Sequence, residues 1–100
     1  MKIGDLLPPI HPGEILREEF LLPLEMSPYA LAKQLRVPRT RIERIVAEKI
    51  GISADTALRL GKFFKTTPQF WLNMQADYDL KIQSAALESE LAEIPERDAA

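Results

Sequence analysis

The stretch from Leu31 to Ile45 restricts this chain more than any other part of it. Apolar residues fall at Leu31, Leu35, Val37, Ile42 and Ile45. Leu31 and Leu35 are four apart and share one helix face; Ile42 and Ile45 are three apart and share another. Only a tight turn fits between the two pairs. Ala32 is small where two crossing helices touch most closely, and Val37 fills the corner between them. The spacing predicts a helix, a turn and a second helix whose outer side carries Arg39, Thr40, Arg41, Glu43 and Arg44. A helix held at its back, with basic and hydrogen-bonding side chains at its front, has the form needed to read a DNA major groove.

A net charge of −2 over 100 residues argues against a nucleic-acid binder. The distribution reverses that argument. Residues 1–32 hold two bases and five acids, and residues 77–100 hold two bases and seven acids. Between them, residues 33–49 carry Lys33, Arg36, Arg39, Arg41, Arg44 and Lys49 against only Glu43 and Glu48. A basic block flanked by acidic ones is the local footprint expected of DNA contact. The plainer alternative is a solvated helix face, and the apolar spacing behind the cluster favours the first reading. The length suits one domain with a modest core. Cysteine is absent, which excludes disulfides and thiolate metal sites. No apolar run reaches the length of a membrane span, and Met1–Asp5 does not look like a signal peptide. The expectation is a cytoplasmic protein without membrane contact, metal, cofactor or small-molecule ligand.

The rest of the chain reads as further short helices. Residues 1–10, with Pro8 and Pro9, form an extended arm. His11-Pro12-Gly13-Glu14 opens a helix, since proline suits the first helical position and Glu14 the positive end of the dipole. Ile15, Leu16, Phe20 and Leu21 give its buried stripe, and Pro23 ends it. Ser27 caps the second helix, with Pro28 just inside it. The third runs from about Pro38 to Ala47, and Ile50-Gly51-Ile52 is a linker. Ser53 caps a fourth helix with core positions Ala57, Leu58, Leu60, Phe63 and Phe64. Thr67-Pro68 starts a fifth, with Phe70, Trp71, Met74 and Tyr78 on its inner side. Leu80, Leu87, Leu91 and Ile94 continue a sparser stripe that Pro95 terminates, and residues 96–100 should fray. No segment alternates with period two, so the expected class is all-α. The boundaries are an arm at 1–10, a domain at 11–79 with its helix-turn-helix at about 27–47, and a C-terminal helical extension and tail at 80–100.

These motifs, in this order, resemble a known family. Five short helices with the helix-turn-helix at the second and third look like the lambda-repressor-like domain of the XRE family. More narrowly, His11-Pro12-Gly13-Glu14-Ile15-Leu16, Ala30-Leu31-Ala32, Val37-Pro38-Arg39-Thr40-Arg41-Ile42, Ala54–Leu60 and Phe70-Trp71-Leu72-Asn73 resemble HigA-type antitoxins of toxin–antitoxin systems. The resemblance covers roughly residues 11–82. It implies a homodimer that binds a palindromic operator and represses its own operon. It also implies a complex with a HigB toxin, a RelE-like ribonuclease that cuts messenger RNA on the ribosome, and neutralisation of that toxin. One departure stands out: the turn position usually held by glycine is Arg36. Positive φ there costs a side chain on the order of 1 kcal/mol.

In such a docking the N-terminal half of the third helix enters the major groove. Arg39, Thr40 and Arg44 are then the candidates for base edges. Arginine bonds two acceptors of guanine at once, for roughly 1–3 kcal/mol of discrimination. Glu43 either accepts from cytosine or, the favoured reading, forms an intrahelical ion pair with Arg39. Lys33, Gln34, Arg36 and Arg41 are candidates for phosphate, which fixes register but carries little sequence information. Leu80, Leu87, Leu91 and Ile94 are candidates for a dimer or a toxin interface, and the residues do not separate the two. Glu88, Glu90 and Glu93 either pair with a basic toxin or form a solvated tail. His11, the only histidine, reads as a cap or surface residue, and Phe70 with Trp71 as core. There is no paired-acid cleft, nucleophile–base set or phosphate loop, so an enzyme is not expected. Two alternatives remain open: a stand-alone XRE-type regulator without a toxin, and an interaction module that has lost DNA binding.

Overall fold

Four helices begin with a side chain that accepts from the backbone two or three residues on, in a computed structural model that describes residues 8–98. His11 Nδ1 accepts from Gly13 N–H at 2.9 Å. Ser27 Oγ accepts from Ala30 N–H at 3.0 Å, Ser53 Oγ from Thr56 N–H at 3.2 Å and Thr67 Oγ1 from Phe70 N–H at 3.1 Å. Each satisfies a donor that the first helical turn leaves without a partner. Pro12, Pro28 and Pro68 stand just inside three of these caps. The helices are α1 (Pro12–Ile15), α2 (Pro28–Leu35), α3 (Arg39–Val46), α4 (Ala54–Phe64), α5 (Pro68–Ala86) and α6 (Glu88–Glu93). Pro38 is the N-cap position of α3, and its side chain has no atom to accept a capping hydrogen bond. There is no strand among the described residues, and the all-α expectation holds. Most of the expected N-terminal arm lies outside the described residues; residues 8–10 have no regular structure.

α1 does not continue as an α-helix. It runs into a π-helical segment, Leu16–Leu21, closed by Leu22 N–H donating to the Arg17 carbonyl at 3.0 Å. The wider turn still buries Leu16 and Leu21 and leaves Phe20 half-buried. Pro23 lies in the turn that follows, as expected.

The helices end on a shared device. Arg36, at φ 62°, closes α2, and Lys65, at φ 61°, closes α4. Val37 N–H then donates to Ala32 C=O and Thr66 N–H to Gly61 C=O. Glu25 and Glu48 take the same left-handed geometry, and among the described residues no glycine does. These are Schellman-type ends, normally given to glycine because a side chain is strained there. The positive φ expected at Arg36 is therefore present.

The core joins all five main helices. Leu16, Leu31, Ile42, Ile45, Leu60 and Trp71 are fully buried. Trp71 satisfies its indole N–H by donating to Thr66 Oγ1 at 2.8 Å, and Phe20 packs between it and Phe64, at ring separations of 5.0 and 4.8 Å. Gly13 is required by packing: a Cβ there would fall onto the Ile45 carbonyl, so α1 and α3 cross at backbone contact. His11 is buried behind this crossing, edge-on to Tyr78 at 4.9 Å.

Three expectations need correction. Leu58, placed in the core, is 61% exposed, because it lies on the outer face of α4. Phe70 sits at the rim rather than inside, edge-to-face on Trp71 at 5.1 Å. Ile52, read as linker, is buried; its N–H donates to Gln75 Oε1 at 2.7 Å, which pins the α3–α4 connection to α5.

Candidate nucleic-acid interface

The back of α3 is closed off by the core, through Ile42 and Ile45. Its front is open. Arg39, Thr40, Glu43 and Arg44 are all exposed, and Thr40, Glu43 and Arg44 line one shallow concavity with Ala47 and Lys49. Arg39 precedes that concavity at the first turn of the helix. Lys49 was not singled out from the sequence, although it belongs to the basic block; it reaches the site because the chain turns back after α3 at Glu48. Arg17 stabilises that turn from the far side. Its guanidinium donates to the Val46 carbonyl and lies 3.4 Å from Glu48 Oε2.

Among the described residues, Arg39, Arg44 and Arg36 form no ion pair. Glu43 forms none either, so the expected intrahelical pair with Arg39 is absent. The two side chains leave the exposed surface of α3 without meeting, and each keeps its charge available to a partner.

The phosphate candidates are spread around this front. Arg36 closes α2, and with Gln34 it borders a groove floored by Leu35, Leu58 and Phe63 and edged by Arg59 and Lys62. Lys33 lies over the Tyr29 ring, 5.8 Å from its centroid, with its ammonium in solvent. Arg41 is engaged within the protein: it donates to Asp55 Oδ1, at the start of α4. Arg59 Nε donates to the same oxygen at 2.8 Å, and Arg59 Nη1 donates to the Leu35 carbonyl at 2.8 Å. The hydrogen bond from Arg59, then that from Arg41, holds the Asp55 carboxyl below its ordinary range. Asp55 and Arg59 were not singled out from the sequence: their own i,i+4 spacing was the one local signal, and the partners that tie them to α3 and α2 are 14 and 24 residues away.

The C-terminal candidates lie apart from this site. α5 continues past position 80 to Ala86, Leu87 breaks the helix, and α6 follows. Leu80, Leu87, Leu91 and Ile94 are all exposed. No helix among the described residues is long and apolar enough to cross a membrane.

No protein-family model matches the chain. Individual relatives do. Over 76 residues, 76% of this chain and 70% of the relative, it is 59% identical to virulence-associated protein I of Dichelobacter nodosus. The structure of the Pseudomonas aeruginosa antitoxin HigA with the higBA promoter superposes with a TM-score of 0.86 at 49% identity, covering 88% of this chain and 97% of that one. Antitoxin GraA in complex with its operator superposes with a TM-score of 0.87 at 44% identity, covering 94% and 95%. Identity of this order over nearly the whole of a solved antitoxin, together with the same helix-turn-helix architecture, places the chain in the HigA family of helix-turn-helix antitoxins.

Proposed function

We propose that this chain binds operator DNA through α3 and represses its own operon, and that it also binds and neutralises a HigB-like, RelE-type toxin. The observation that carries the DNA half is the division of α3. Ile42 and Ile45 are fully buried, while Arg39, Thr40 and Arg44 stand exposed, and among the described residues neither arginine forms an ion pair. Two relatives solved with promoter or operator DNA support the same reading. Arg39, Thr40 and Arg44 read base edges in the major groove; Lys33, Gln34, Arg36 and Arg41 hold phosphates and set register. The role is that of a regulatory binding protein rather than an enzyme.

A single helix of eight residues gives weak recognition, so the binding unit is a homodimer. Its two α3 helices are about 34 Å apart, one turn of DNA, over a palindromic site. Leu80, Leu87, Leu91 and Ile94 supply the surface for the second copy or for the toxin. Acidic Glu88, Glu90 and Glu93 favour a basic partner there.

The test of the DNA half is a shift assay on the DNA upstream of the chain's own reading frame. Arg39→Ala with Arg44→Ala should weaken binding by about 1–3 kcal/mol per arginine without lowering the melting temperature. Unchanged affinity sinks the groove assignment. The test of the toxin half is co-expression with the neighbouring gene product. Co-purification and relief of growth arrest are expected, and their absence leaves a stand-alone regulator.

A further inference from the structure

Asp55 does something the helix-turn-helix does not require. It stands in the first turn of α4, where a carboxylate favours the helix dipole. It also collects two arginines from different elements: Arg41 of α3 and Arg59 of its own helix. Arg59 in turn holds the Leu35 carbonyl, at the end of α2. The three helices around the candidate DNA surface are thus tied through one charged group.

The electrostatic consequence is specific to Arg41. Among the described residues it is the only cation of α3 held by an acid. A DNA phosphate that approaches Arg41 finds a carboxylate already there. Exchanging one anion for another gains little Coulomb energy, and the exposed carboxylate itself repels the DNA backbone. Arg39 and Arg44 carry no such restraint.

The geometry points to Asp55 as a specificity-determining residue. It withholds Arg41 from indiscriminate phosphate binding, so that Arg41 is exchanged onto phosphate only where the base contacts of Arg39, Thr40 and Arg44 hold α3 in place. This rests on the operator-binding reading above. Its signature is a smaller electrostatic component in non-specific binding than the number of surface cations implies.

The experiment compares wild type with Asp55→Asn, whose side chain keeps its shape and one acceptor but loses its charge. Both are titrated onto the upstream DNA and onto a scrambled duplex of the same length, between about 50 and 200 mM salt. A thermal melt confirms that each variant is folded. Asp55→Asn should bind the scrambled duplex several-fold tighter. Its log K against log salt should be steeper by about 0.9 per protomer, the value for one more phosphate neutralised. The ratio of upstream to scrambled affinity should fall. Adding Arg41→Ala to Asp55→Asn should return the slope to that of wild type. An unchanged slope in Asp55→Asn overturns the proposal, and so does an increase that survives removal of Arg41. A wild type that does not distinguish the two duplexes overturns the operator reading instead, while the scrambled-duplex slopes still decide the role of Asp55.

Discussion

Helix α3 and the end of the chain carry similar patterns, apolar residues at helical spacing with charges between them, and the fold treats them in opposite ways. Ile42 and Ile45 have no exposed surface; Leu80 and Ile94 are 65% and 62% exposed. α3 packs on α1 and α2, whereas α6 packs on the end of α5. A helical apolar stripe states that a face needs covering, not what covers it. On α3 the cover is the chain itself, and the charged face is left for a ligand. Beyond Tyr78 no described residue is buried, so the chain itself leaves the apolar face there uncovered.

The boundary between the two treatments lies within α5, and Trp71 anchors its inner side. Trp71→Ala should cost about 3–5 kcal/mol, a cavity plus the lost bond to Thr66, read as a fall in urea midpoint. A loss below about 1 kcal/mol would mean that the core does not end where Trp71 places it. Gly13→Ala attacks the covering of α3 directly. Its methyl meets backbone at Ile45, so about 1–3 kcal/mol of destabilisation is expected, with operator affinity lowered as α3 shifts.

A smaller effect, of the opposite sign, comes from Lys65→Gly. Relief of left-handed strain, less the added freedom of the unfolded chain, should raise stability by roughly 0.5–1 kcal/mol. Arg36→Gly should do the same in thermal melts while weakening DNA binding, which separates the two ends of the same type by function. Truncation after Ala86 should change the stability of the monomeric fold by less than about 0.5 kcal/mol. Sedimentation should show loss of the dimer or of toxin capture; if neither changes, the exposed stripe beyond Ala86 is not an interface.

The smallest effect concerns pH. The folded pKa of Asp55 is below its ordinary 3.8. Its contribution is therefore present above that value and is lost only as pH falls through the lower folded value. Between pH 8 and 5, stability should show no step from this group, and Asp55→Asn should leave the shape of the profile unchanged there.

Most helix starts were legible in the sequence because the signal is local: Ser27, Ser53 and Thr67 bond the backbone three residues away. The buried pairs Leu31/Leu35 and Ile42/Ile45 were legible because helical geometry places residues three or four apart on one face. Helix ends were harder to see. Glu25, Glu48 and Lys65 adopt the geometry that glycine usually marks, and nothing in their identity announces it. The π-helical turn at Leu16–Leu21 is equally silent, since it changes which carbonyl is bonded and not which residues are apolar.

By itself, the sequence determined the all-α class, the helix-turn-helix and the basic front of α3, since each depends on residues within one or two helical turns of one another. Only the tertiary structure decided that Leu58 points outward, that Ile52 is core, that Glu43 leaves Arg39 unpaired and that Asp55 holds Arg41 and Arg59. Asp55 and Arg59, like Arg39 and Glu43, are local pairs four residues apart on one helix, but the other outcomes depend on how α2, α3, α4 and α5 meet, and the bonds that join them span 14 to 24 residues. A charged side chain reaches several partners at such range, and packing alone selects among them.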